Sequence, residues 1–407
     1  MPLADRHDNA GIESAEARGE TAVDCLKLLL QYGLRSIFPQ GVILKFTRRR
    51  FLQATGGGLA ITAMGLPDFE GAAAQPAPAA VSPRMRLEDF VKDPARVASL
   101  RRGVAVMKSR KPSDPRSWFF QAAVHGVSEA QVAQAMKQDP DVAKVDQKKF
   151  WRQCPHYPEL GLSSANFVIW HRAYLYYFER ILREAAGDPK LSLPYWNYTE
   201  KTQRSFPQIL ATEVDEQGQP NPLYEPKREG VFVRGLYDLS DRAVSFERAM
   251  RATEFFGTVG ENIFAGAIDD LEPRSQGLIE RSPHNMIHLA VGGQIPQDDG
   301  STAMGLMSAV PTAAFDPVFW LHHANIDRLW SVWDAMPAKQ WGDAPAKAWF
   351  EERTWWFYDA DGTVKNETRG FYIQNGNLKL SFDTDKPGAR RLSDKLPADR
   401  EIGRAHV

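Results

Sequence analysis

The sequence predicts a mainly α chain, with a four-helix-bundle core and a small β appendage near the C-terminus. Three observations predict it. Residues 167–184 run without Gly or Pro and are apolar on all but one face, the pattern of a buried helix. Asp-Pro occurs at 93–94 and again at 316–317, each time just before a helical pattern. Asp serves there as N-cap and Pro as the first helical residue. Beyond about residue 345 the pattern changes. Trp355 to Phe382 holds β-prone residues in alternation, split by Asp361-Gly362 and Asn375-Gly376, which read as hairpin turns.

At 407 residues the chain has room for one large domain or two ordinary ones. Its 43% hydrophobic and 25% charged content is that of a globular protein. A formal net charge of −1 gives little attraction to nucleic acid or an anionic membrane, so neither partner is expected. With 11 Trp, 11 Tyr and 22 Phe the core is aromatic and rigid. Only two cysteines are present, Cys25 and Cys154, which is no disulfide framework.

The N-terminal part reads as an address. Thr47 to Gln53 is T-R-R-R-F-L-Q, followed by a weakly apolar run to Leu66 and by the small-residue stretch Glu70 to Gln75. Basic, then apolar, then small is the order of an export signal. The run is too short and too glycine-rich for a stable membrane anchor. The pair Arg48-Arg49 before Phe51-Leu52 resembles a twin-arginine signal, which places the mature protein in a bacterial periplasm or outside the cell. The expected organisation is therefore an upstream extension at 1–46 with no function of its own, a signal peptide at 47–74, and a Pro/Ala linker at 75–85. The core domain at 86–340 and a β-rich tail at 345–407 follow.

Within the core domain, helices are expected from Ala95 to Lys108, over 167–184, over 276–290 and from Val318 to Trp333, and the stretch Trp118 to Val124 leads into His125. Seven of the nine histidines fall in three short aromatic-rich segments: His125, His156, His171, His284, His288, His322 and His323. A lone histidine among apolar residues is more simply a satisfied core side chain. Seven so clustered suggest metal, held in the core of a helix bundle.

His284 and His288 lie four apart and so on one helix face. Zinc proteases use this spacing with a Glu beside the first His; here that position is Asn285, so hydrolytic zinc chemistry lacks its base. A third imidazole comes from His322 or His323. Three neutral imidazoles with no carboxylate or thiolate suit copper, and also suit a catalytic zinc. The chain supplies the set twice, which favours a dinuclear copper site.

The stretch from Asp316 to Trp330, D-P-V-F-W-L-H-H-A-N-I-D-R-L-W, closely resembles the second copper signature of tyrosinases, catechol oxidases and molluscan haemocyanins. Trp170 to Glu179, W-H-R-A-Y-L-Y-Y-F-E, is similar to the first signature, and Ser117 to Gly126 to the segment carrying the first ligand. Leu193 to Tyr198 also resembles a family segment. The resemblance runs from about 86 to 335. It implies His125, His156 and His171 at copper A, and His284, His288 and His323 at copper B. His323 rather than His322 is implied because the family's ligand lies four residues before the Asp, here Asp327. Ten residues separate His156 from Phe167, where the family has four or five, so an insertion is expected around Tyr157 to Ser163.

The implied activity is that of a type-3 copper monooxygenase and oxidase, turning phenols into ortho-quinones with O2. Glu280 and Asn285 match positions that hold a water in plant polyphenol oxidases, where it is held to deprotonate a monophenol. Val310 and Leu289 match the walls of the substrate pocket. Cys154, two residues before His156, has the spacing of the fungal and molluscan thioether to that ligand. Substrate choice is expected in loops 201–235 and 293–312. The C-terminal stretch, best at Phe357-Tyr358-Asp359, is similar to the plant region where a tail can cover the site. Three other readings stay open: a catechol oxidase without monophenolase activity, a tailoring oxidase of a phenolic metabolite, and a haemocyanin-like O2 carrier. The partner is a small phenol or catechol, with a copper chaperone left open.

Overall fold

The computed structural model describes residues 81–258, 262–268, 275–297 and 301–397. The extension at 1–46, the Arg48-Arg49 signal, Cys25, His7 and His406 lie outside the described residues. Among these residues, no helix is long and apolar enough to cross a membrane.

Among the described residues, six helices of eight residues or more carry the fold: α1 Pro94–Ser109, α2 Trp118–His125, α3 Glu129–Gln138, α4 Asn166–Ala186, α5 Asn285–Gly292 and α6 Pro317–Asp334. The starts of α1, α2, α3 and α6 follow side-chain chemistry. Asp93 accepts from the backbone N–H of Ala95 and Arg96, Ser117 from Phe120, and Asp316 from Val318. Each satisfies a donor that the first helical turn leaves free, worth about 1 kcal/mol. Ser128 and Gln131 form a reciprocal capping box at α3.

Helix α4 is buried along nearly its whole length, as its unbroken apolar pattern predicts. It packs between α1 and α6. Gly103 lets α1 approach closely, since a Cβ there would lie 2.7 Å from Leu182 Cδ1. Tyr174 and Trp320 fill the α4–α6 seam, with ring centroids 4.7 Å apart. Buried charge crosses the same seam. Asp327 on α6 accepts from Arg172 Nε at 2.6 Å and from Arg84 Nη1 at 2.8 Å, and Arg84 also donates to Glu179 at 2.8 Å. Such groups persist inside a core only when paired.

The helix expected over 276–290 breaks. Ser282 has extended backbone (φ −157°, ψ 130°), and regular α-helix begins only at Asn285. Pro283 is the reason, because it lacks an N–H and its ring clashes with the preceding turn. His284 therefore sits at the mouth of α5 rather than within a longer helix, yet its ring still lies 4.6 Å from that of His288.

Sheet structure is sparse. Strands β1 Glu254–Gly257, β2 Gly266–Ala267 and β5 Gln340–Gly342 pair in parallel in the order β2-β1-β5; β3 Gln294–Pro296 and β4 Thr302–Met304 form an antiparallel pair. The tail is less β-rich than expected. Only β6 Phe357–Tyr358 and β7 Val364–Lys365 pair, around the Asp361-Gly362 turn. Asn375-Gly376 opens a single helical turn instead, after the short helix Arg369–Ile373. Tyr372 and Ile373 are fully buried there, so packing overrides β-propensity. The tail docks on α4 through Asp359, which takes both Nε (2.6 Å) and Nη2 (2.9 Å) of Arg180.

Candidate metal centre

Four of the helices aim imidazoles at one interior region. His125 is the last residue of α2, His171 lies on α4, His288 on α5, and His322 and His323 on α6. Two tight groups result. The donor atoms of His284, His288, His322 and His323 all lie within 4.8 Å of one another, and so do those of His125, Cys154 and His171. The groups adjoin, because the rings of His171 and His323 stack with centroids 4.2 Å apart.

Most of these rings are held by one nitrogen. His125 Nδ1 donates to Val310 O (3.1 Å), His171 Nδ1 to Phe167 O (2.8 Å), His284 Nδ1 to Asn285 Oδ1 (2.9 Å) and His288 Nδ1 to Met307 O (2.8 Å). Carbonyls only accept, so each Nδ1 carries a proton, which leaves Nε2 as the nitrogen able to face a metal. That is the preparation a metal-binding imidazole needs.

On α6 the two neighbours differ. His323 Nε2 lies 3.3 Å from His288 Nε2, deep among the other rings. His322 Nδ1 hydrogen-bonds Tyr198 OH at 2.9 Å. His322 Nε2 and His323 Nδ1 are buried without a partner. An unpartnered buried polar atom costs about 1–3 kcal/mol.

His156 stands apart from both tight groups. One-fifth exposed, it places Nε2 2.8 Å from Glu280 Oε1 and Nδ1 3.1 Å from Cys154 Sγ. Its ring lies 6.4 Å from that of His171 and stacks 5.9 Å from that of His284. Cys154 is the sulfur donor that the second group contains where His156 was expected.

The electrostatics favour neutral nitrogen. Burial, then mutual repulsion, holds the imidazoles of His284, His322 and His323 well below their ordinary range. Burial pushes His288 down to about 3, against the pull of the Met307 carbonyl. His171 is lowered by burial too. Neutral imidazoles in a dry pocket bind soft or borderline metals, copper foremost, and not hard oxygen-seeking cations. Burial opposes ionisation of the Cys154–His156 pair. At the thiol the pull of His125 and then His156 outweighs it, lowering Cys154; at the imidazole the pull of Cys154 and then Glu280 outweighs it, raising His156.

Glu280 is buried, with Oε2 unpartnered, and burial raises its carboxyl above the usual range while His156 opposes the shift. Asn285 spends its oxygen on His284 and its Nδ2 on Gln276 Oε1 at 3.2 Å. Val310 and Leu289 are half-buried, Val310 through the residue whose carbonyl orients His125. Sequence reasoning missed Gln276, Tyr198 and the carbonyls of Met307 and Val310. Only Tyr198 had a signal, as the end of the Leu193–Tyr198 segment.

Comparison with known proteins agrees with this geometry. The profile of the common central domain of tyrosinase matches residues 115–240 and 248–336. A tyrosinase from Hahella sp. (strain CCB-MM4) is 33% identical over 276 residues, covering 64% of this chain and 55% of that protein. A chloroplastic polyphenol oxidase of Spinacia oleracea is 28% identical over 330 residues, covering 73% and 45%. The chain thus spans about half the length of these relatives. The solved structure of latent apple tyrosinase matches with a TM-score of 0.55 at 26% identity, covering 76% of this chain and 64% of that one. The polyphenol oxidase of Grenache (Vitis vinifera) has the same fold, with a TM-score of 0.54 at 21% identity over 81% of this chain and 93% of that one.

Proposed function

The chain belongs to the tyrosinase family, and on that premise we propose that it oxidises phenols to ortho-quinones with dioxygen at a pair of copper ions. The observation that carries this reading is the group of four imidazoles, His284, His288, His322 and His323, adjoined by the group His125, Cys154 and His171 through the His171–His323 stack. When bound, the two coppers supply the electrons that activate dioxygen. The protein's part is to orient the ligands, keep the cavity dry and admit a flat ring.

Copper A would be held by His125, His156 and His171, and copper B by His284, His288 and His323. To serve there, His156 Nε2 would have to leave its Glu280 contact, which would free a buried carboxylate. Glu280 then holds a proton-accepting oxygen beside the site, its carboxyl raised above the usual range by burial. Asn285 fixes the His284 ring at Nδ1. These features favour hydroxylation of monophenols as well as oxidation of catechols. Val310 and Leu289 form part of the pocket wall. Export by the twin-arginine route rests on Arg48-Arg49 and the segment that follows.

The rate and lag on tyrosine and on DOPA test the reading. Both substrates should be oxidised, and Glu280→Gln should slow tyrosine far more than DOPA. Oxidation of DOPA alone would leave a catechol oxidase. Reversible O2 binding without turnover of either would leave a carrier.

A further inference from the structure

One short stretch of backbone orients an imidazole in each metal group. Val310 O accepts from His125 Nδ1 and Met307 O from His288 Nδ1. The stretch is seated between two glycines. A Cβ on Gly126 would lie 2.7 Å from Val310 O, and one on Gly292 would lie 2.3 Å from Ser308 N. Both distances are shorter than side-chain carbons tolerate, so only glycine lets the strand of backbone come this near. Thr312 closes the stretch on itself, its Oγ1 donating to Leu306 O at 2.8 Å.

We propose that residues 306–312 form a positioning strap that sets one ligand of each copper, so that occupancy of the two sites is linked through it. Gly126, Gly292 and Thr312 are its positioning residues. None of them touches a metal, and their effect passes through His125 and His288. Removing the outer partner of a ligating imidazole typically lowers metal affinity 10–100-fold. Because the strap is one rigid piece, disturbing it should cost both sites together. The inference rests on the dinuclear copper reading above.

Thr312→Val removes the side-chain hydrogen bonds to Leu306 O and Ala309 O without adding a backbone clash; Gly292→Ala adds the clash; Thr312→Ser is the rescue. Gly103→Ala crowds Leu182 in the α1–α4 seam and controls for general destabilisation. The first readout is histidine 15N NMR of the metal-free protein. His125 and His288 should both carry a proton on Nδ1, hydrogen-bonded to the strap, and Thr312→Val should shift both signals together. The second is copper retained against a chelator, with EPR of what remains. Thr312→Val and Gly292→Ala should bind both coppers about 10–100-fold more weakly and show uncoupled, EPR-visible copper. Thr312→Ser and Gly103→Ala should keep the coupled, EPR-silent pair. The strap is overturned if Thr312→Val leaves both histidine signals in place, or if its copper loss is matched by Gly103→Ala. A wild-type chain that binds no copper pair would defeat the dinuclear reading instead, and the NMR result would still decide the strap.

Discussion

Arg172 Nε donates to Asp327 Oδ1 at 2.6 Å, and this one ion pair fastens the two helices that carry the stacked imidazoles. Arg172 follows His171 directly on α4, and Asp327 lies one turn after His323 on α6. Asp327 also holds Arg84, so two guanidinium groups share one buried carboxylate. Asp327→Asn leaves both with too little negative charge. The variant should lose about 3–5 kcal/mol of unfolding free energy in urea and bind copper poorly at both sites. Unchanged stability would show that the pair is dispensable.

His322 and His323 are neighbours with different tasks. His323 lies against His288, whereas His322 is tethered to Tyr198. His323→Asn should cut the copper content from two ions per chain to one. His322→Asn should keep two, at reduced stability, because Tyr198 loses its partner. Metal analysis of the two variants after dialysis decides; the opposite pattern would move the ligand to His322.

Cys154 Sγ already touches His156 Nδ1 at 3.1 Å, in a buried setting. We predict that the copper-loaded protein, exposed to O2, forms a carbon–sulfur bond between them. The thiol and one ring C–H give up two electrons and two protons, which O2 accepts. The intact mass should then fall by two hydrogens, and Cys154 should resist alkylation after unfolding. A freely alkylated Cys154 in loaded protein would refute the bond.

The metal-free protein should be acid-sensitive in a defined window. His171, His284, His288, His322 and His323 all have lowered values in the folded chain, burial first and mutual repulsion next. Unfolded histidine titrates near 6.5. Below that value the unfolded chain binds more protons, so folding stability falls with pH. The stability is whole above about 6.5 and drains away as pH drops toward His288's value of about 3. Urea midpoints at pH 7 and pH 5 should therefore differ, with a shallower pH slope in His288→Gln. Equal midpoints would mean that the imidazoles are not buried as described.

The helices and most of the metal-facing side chains were legible because their signals are local. Asp93 and Asp316 cap the helices their Asp-Pro pairs announce, and the unbroken apolar run at 167–184 becomes buried α4. Signals were misread where tertiary context prevails. Pro283 cut the helix expected across 276–290, and burial of Tyr372 and Ile373 turned an expected strand into a helical turn. The carbonyls of Met307 and Val310 leave no trace in sequence, since any residue supplies a carbonyl. The diversion of His156 to Glu280 spans 124 positions and could not be read from spacing.

The most direct test of the dinuclear site is to load the protein with copper, count the metal, and add hydrogen peroxide. Two coppers per chain and an intense near-ultraviolet band are the predicted result. One tightly held zinc, with no band, would contradict it.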